Sequence, residues 1–167
     1  MKKILIAIMA LGGMSATAQT HTVTKDDKSG ELVFNGPITF KDLNEEHSFK
    51  WMKDERGYRP AQDAEAYLHS NLGNYDLVVF MGTWCEDSHY LVPRLEKVLN
   101  EAGYPLERVT MYGADREKHT KDGEDKKYDI TLVPTVIVMK NGKELGRITE
   151  NVQKTVEEDL AAIIKKG

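Results

Sequence analysis

Cys85 is the only cysteine in this 167-residue chain, and it stands in Trp84-Cys85-Glu86-Asp87-Ser88 between two segments of different pattern. Before it, residues 77–81 are apolar without interruption and include Val78 and Val79. A run this short and continuous reads as a strand buried on both faces. Gly82 and Thr83 break it. After the cysteine, Leu91, Leu95, Val98, Leu99 and Ala102 recur at helical spacing. The thiol therefore falls where a helix begins. Unpaired backbone N–H groups and the helix macrodipole favour negative charge there. A thiol so placed loses its proton more easily and becomes a nucleophile. Glu86 and Asp87 work against this, because a nearby carboxylate favours the neutral thiol. With both side chains free to point to water, the expectation is a moderately more acidic thiol. His89, one turn after Cys85, is a candidate acid or base, although a plain surface histidine fits the spacing better. A buried, inert cysteine is the competing reading of Cys85 itself.

The elements that must position this stretch follow from the flanking patterns. Lys2 and Lys3, the apolar run 4–11 and Ala16-Thr17-Ala18 have the form of a signal peptide cut after Ala18. The apolar run is too short to span a bilayer. The expected mature protein is exported, periplasmic or secreted, with no stable membrane insertion. An odd cysteine in such a chain pairs with another molecule or stays reactive. Residues 19–30 are polar and read as a flexible segment. Residues 31–34 and 38–40 are short strand candidates around Asn35-Gly36-Pro37. A first helix is expected at 48–56, and a second from Pro60 to Leu72 with Gly73 as its cap. Strands follow at 108–113 and 135–139. Residues 115–127 form a charged, solvated loop. Asn141-Gly142 marks a hairpin into an edge strand at 143–149. Thr155 with Glu158 makes a capping box for the last helix. The division is thus 1–18 signal peptide, 19–30 loose segment and 31–167 one domain.

Several of these features together resemble the thioredoxin superfamily. They are the strand, Trp84-Cys85, a helix with Pro93 in its second turn, Leu132-Val133-Pro134-Thr135, and the Lys140-Asn141-Gly142 turn. The resemblance covers residues 75–167 and poorly covers 19–74. It implies an α/β fold, a three-layer α/β/α sandwich around a central mixed sheet, here with an N-terminal helical extension. It also implies that Pro134 is the cis-proline beside the cysteine, that Val133 offers its backbone to an extended substrate, and that Trp84 shields the thiol and supplies an apolar contact.

Two departures from the family pattern matter. Ser88 stands where a dithiol enzyme has its second, resolving cysteine. Its hydroxyl can donate to the Cys85 thiolate but cannot expel a substrate from a mixed disulfide. Val79 stands where reductases often bury a carboxylate to move protons, and an acid there is costly to bury without a task. The resulting expectation is a monothiol thiol–disulfide exchange protein. Its partners would be protein or small-molecule thiols and disulfides, with an external resolving thiol and no cofactor. A non-catalytic protein-binding module is the alternative. A metal site using Cys85, His89 and a distant His119 is a third, and no metal is assigned. Formal net charge is −4 with no basic patch interleaved with aromatics, which argues against nucleic acid.

Overall fold

The apolar run before Cys85 forms a strand, Asp76–Met81, at the centre of a six-stranded sheet in this computed structural model. Residues 20–27 and 29–167 are described. The signal-peptide reading of residues 1–18 lies outside the described residues. In chain order the strands are β1 (Thr22–Lys25), β2 (Leu32–Ile38), β3 (Asp76–Met81), β4 (Val109–Gly113), β5 (Thr135–Lys140) and β6 (Lys143–Thr149). They lie in the order β1-β2-β4-β3-β5-β6. Only the β3–β4 pair is parallel; the other neighbours run antiparallel. The mixed sheet with helices on its faces is the thioredoxin-like sandwich expected from the sequence.

Alternation along β3 divides the core. Leu77, Val79 and Met81 enter the larger cluster, against α2 (Gln62–Asn71), α3 (Glu86–Glu101) and α5 (Val156–Ile164). Val78 and Phe80 enter a smaller one with Ala114, Ile130, Val133 and Ile137. Among the described residues that second face is covered by the 114–134 connection, which holds the one-turn helix α4 (Glu124–Lys127), with Trp84 and Cys85 packed against it. Asn141 (φ 52°) and Gly142 (φ 75°) make the two-residue turn between β5 and β6. Thr155 caps α5 by accepting the Glu158 N–H. Among the described residues no helix is long and apolar enough to cross a membrane.

The N-terminal segment departs from the sequence reading in five places. The supposedly loose residues contain β1, exposed along its length and held by its ladder to β2. Residues 32–38 are one strand rather than two around a turn. Pro37 is tolerated because β1 pairs only with residues 32–35, so the strand is an edge on that side at Pro37. Phe40 begins a helix, α1 (Phe40–Glu45), instead of ending a strand. Thr39 and Asp42 form a complete capping box for it. The helix expected at 48–56 is a 3₁₀ helix, Lys50–Gly57. Gly73 does not cap α2 in a left-handed conformation; the chain continues as a 3₁₀ turn, Leu72–Asn74. The extension therefore brings a β-hairpin as well as helices.

Candidate functional site

The turn between β3 and α3 is built from backbone outward. The Cys85 N–H donates to Gly82 O at 3.0 Å, closing Gly82-Thr83-Trp84-Cys85 into a tight turn. Cys85 is extended (φ −99°, ψ 122°) and serves as the N-cap of α3, with the His89 N–H bonded to its carbonyl. The thiol is partly exposed and its Sγ lies 3.4 Å from Val133 O, a contact that belongs to the protonated form. Val133 and Pro134 are buried, and the peptide bond joining them is cis. Glu150 donates its N–H to Pro134 O at 2.7 Å and fixes that loop from the end of β6. The structure thus brings Trp84, Cys85, Val133 and Pro134 together.

Trp84 donates Nε1–H to Ala114 O at 2.9 Å, and Arg116 and Lys118 lie over its ring at 5.1 and 5.7 Å from the centroid. Its indole packs so closely on Gly82 that a Cβ there would meet Cε2 at 2.7 Å, so the turn needs glycine at that position. Glu86 and Asp87 lie in the first turn of α3, where they suit the positive end of its dipole. With Tyr90, Glu150 and Val152 they line a shallow groove of about 300 Å³ beside the cis-proline loop.

The two neighbours of the thiol have bonds of their own. Ser88 is fully buried, and its hydroxyl accepts the Gly82 N–H at 3.2 Å; no bond joins it to Cys85 among the described residues. The reason is that Gly82 has passed the last paired residue of β3, Met81, and its buried N–H needs an acceptor. His89 donates Nε2–H to Thr83 O at 2.8 Å, and its ring stacks on Trp51 at 4.4 Å and 15°. Its N–H and one ring face are thus committed to holding the turn. Among the described residues no three His, Cys, Asp or Glu side chains gather closely enough to hold a metal ion. His119, the third ligand of the metal reading, is exposed on the 114–134 connection.

Thr83 is the residue that sequence reasoning passed over. It is buried, and its hydroxyl accepts the Phe34 N–H at 3.1 Å while donating to Leu32 O at 2.8 Å. Both partners lie about fifty positions earlier in the chain, so no local pattern carries the signal. Val79, by contrast, sits where the sequence placed it, fully buried beneath α3 in an apolar cluster.

Comparison with known proteins agrees with this geometry. A family model described as Thioredoxin matches residues 64–166, well over half of the chain. Thioredoxin Y of rice chloroplasts (Oryza sativa subsp. japonica) is 37% identical over 71 residues, which cover 42% of this chain and 39% of that protein. The mitochondrial thioredoxin of Bos taurus is 34% identical over 90 residues, covering 54% of this chain and 49% of the relative. The matched region thus spans less than half the length of either curated relative. A solved protein of unknown function from Pseudomonas aeruginosa aligns over 78% of this chain and 83% of its own, at 15% identity and a TM-score of 0.52, a likeness of fold alone.

Proposed function

The chain belongs to the thioredoxin family, and from that premise we propose that it is an exported thiol–disulfide exchange protein working through Cys85 alone. The observation that carries the reading is the partly exposed sulfur at the N-terminus of α3, set against the Val133–Pro134 loop. In the first step the Cys85 thiolate attacks one sulfur of a substrate disulfide. A Cys85–substrate disulfide forms, the substrate S–S bond breaks, and the departing thiolate takes a proton from water. The backbone of Val133 receives the substrate as an added strand, and Trp84 covers the sulfur from the other side.

Ser88 cannot carry out the second step. A hydroxyl is not ionised near neutral pH and cannot displace a thiolate. A second thiol, from a protein or small molecule, attacks the substrate sulfur of the mixed disulfide and returns Cys85 as thiolate. The buried Val79 offers no proton acceptor, in keeping with the missing second thiol. The signal-like residues 1–18 support an exported location, periplasmic or secreted.

The test is to trap the intermediate. Wild type incubated with a protein disulfide is expected to accumulate a mixed disulfide on Cys85 and to turn over slowly until a small thiol is added. Cys85→Ser abolishes both. Ser88→Cys is expected to close an 85–88 disulfide under oxidising conditions and gain partial turnover without added thiol. A wild type as fast as Ser88→Cys, or a variant that never closes its disulfide, contradicts the monothiol account. An alkylation midpoint at or above the free-thiol value of about 8.5 turns the reading toward a non-catalytic binding module.

A further inference from the structure

We infer that Thr83 is a positioning residue for the Cys85 thiol and that it acts by joining the active-site turn to β2, in the segment outside the family match. The inference rests on the exchange reading above. Its basis is the fate of two backbone groups on β2. Leu32 O and Phe34 N–H point from the same edge of that strand, and the β4 ladder beside them ends at Gly36↔Gly113. The two groups would be left without partners where β4 stops. The single hydroxyl of Thr83 takes both, donating to one and accepting from the other. It stands in for the next residue of a strand.

The surrounding structure is shaped for this junction. Gly113, the last residue of β4, lies so close to β2 that a Cβ would come 2.2 Å from Phe34 O. That approach brings β2 within reach of Thr83. On its other side Thr83 is held through its carbonyl by His89, which is itself stacked on Trp51 of the 3₁₀ helix Lys50–Gly57. Gly82 is held by Ser88, and Trp84 by Ala114 O. Every residue of the turn before Cys85 is thus tied by a side chain, and at Thr83 the ties run to residues 32, 34 and 51, directly or through His89. Thr83 occupies the centre of the turn that the Cys85 N–H closes. Releasing it frees the peptide two bonds from the nucleophile. The sulfur then loses its fixed place beside Val133 and the helix terminus. Small displacements of a reacting group cost large factors in rate.

The experiment uses the full chain as wild type, Thr83→Ser, Thr83→Val and His89→Phe. It reads the rate of Cys85 alkylation by iodoacetamide against pH, mixed-disulfide formation with oxidised glutathione, and the thermal unfolding midpoint. Thr83→Val is expected to slow both reactions at neutral pH by about tenfold and to displace the alkylation midpoint from that of wild type. Thr83→Ser keeps the hydroxyl and is expected to stay within about twofold of wild type, although it loses a methyl group. A purely structural role would lower the unfolding midpoint and leave the pH profile in place. A cooperatively folding Thr83→Val with the wild-type rate and midpoint overturns the inference, as does a Thr83→Ser as slow as the valine variant. Should Thr83→Val not fold, His89→Phe carries the test. It keeps an aromatic ring against Trp51 and removes the donor to Thr83 O, so wild-type reactivity there overturns the inference. A wild type that alkylates as a free cysteine and takes up no glutathione sinks the exchange reading and this inference together. A reactive wild type with indifferent Thr83 and His89 variants sinks this inference alone.

Discussion

Thr83 and Glu157 each reach across to the N-terminal segment, the first with a hydroxyl and the second with a carboxylate. Thr83 joins the active-site turn to β2. Glu157, 1% exposed in the first turn of α5, accepts the Tyr58 hydroxyl at 2.6 Å and the Ala61 N–H at 2.8 Å. It thereby holds the link between the 3₁₀ helix and α2. Both anchors satisfy two donors or acceptors that burial would otherwise orphan. They differ in what pH does to them. Burial raises the Glu157 carboxyl, but the bonds from Ala61 and Tyr58 outweigh it, and the net displacement is below the ordinary 4.5. Tyr58 moves the other way, well above its ordinary 10, first through burial and then through Glu157. The Thr83 hydroxyl has nothing to titrate. The chain thus holds its extension by a pH-indifferent hydroxyl tie at the active-site turn and a pH-limited tie at the start of α5.

The largest break in this comparison is Glu157→Ala. It orphans the Tyr58 hydroxyl and the Ala61 N–H, and the expected loss is about 3 kcal/mol in denaturant unfolding. Thr83→Val leaves Phe34 N–H and Leu32 O unmet, for an expected loss of about 2 kcal/mol by the same measurement. Tyr58→Phe removes one hydrogen bond to a charged acceptor and should cost about 1.5 kcal/mol near neutral pH.

The pH profile sharpens the contrast further. Glu157 has its pKa lowered by folding, so its stabilisation is present above the unfolded value and is lost as pH falls through the folded one, below 4.5. Tyr58 has its pKa raised, so its contribution is present below about 10 and lost as pH climbs toward the folded value. Unfolding free energy measured across pH should therefore fall at both ends in wild type. Tyr58→Phe should flatten both limbs. Asp125 is also held low, its bonds to Thr120 outweighing burial, and it supplies part of the remaining acid limb. Tyr104 and Tyr112, both raised mainly by burial, supply part of the alkaline one. Thr83→Val should shift the whole curve down without changing its shape.

These anchors mark where sequence reading stops. The β3–α3 unit was legible because its residues make their structure locally. A five-residue apolar run, a helical stripe and a cysteine between them need no distant partner to be recognised. The Asn141-Gly142 turn and the Thr155 cap are equally local. β1 escaped because an exposed strand shows no apolar alternation; only its pairing with β2 defines it. α1 escaped because six residues carry too little periodicity, although Thr39 and Asp42 spelled a cap. Ser88 stands at the third position after Cys85, and the bond it accepts from the Gly82 N–H leaves no mark in the sequence. Thr83 reads in the sequence only as a strand break, and nothing in the local pattern marks Glu157. Their roles depend on residues about fifty and one hundred positions away.

The stack of Trp51 on His89 has an optical consequence. Trp51 and Trp84 are the chain's two tryptophans, and each lies against a different chemical reporter. Indole emission depends on the group stacked against it, so Trp51 emission should change when the His89 ring leaves the stack. Trp84 packs in the same cluster as Cys85, and a disulfide on that sulfur quenches indole more strongly than a thiol. A Trp51→Phe chain therefore carries a fluorophore that reads the redox state of its nucleophile, and a Trp84→Phe chain one that reads the ring holding the turn in place.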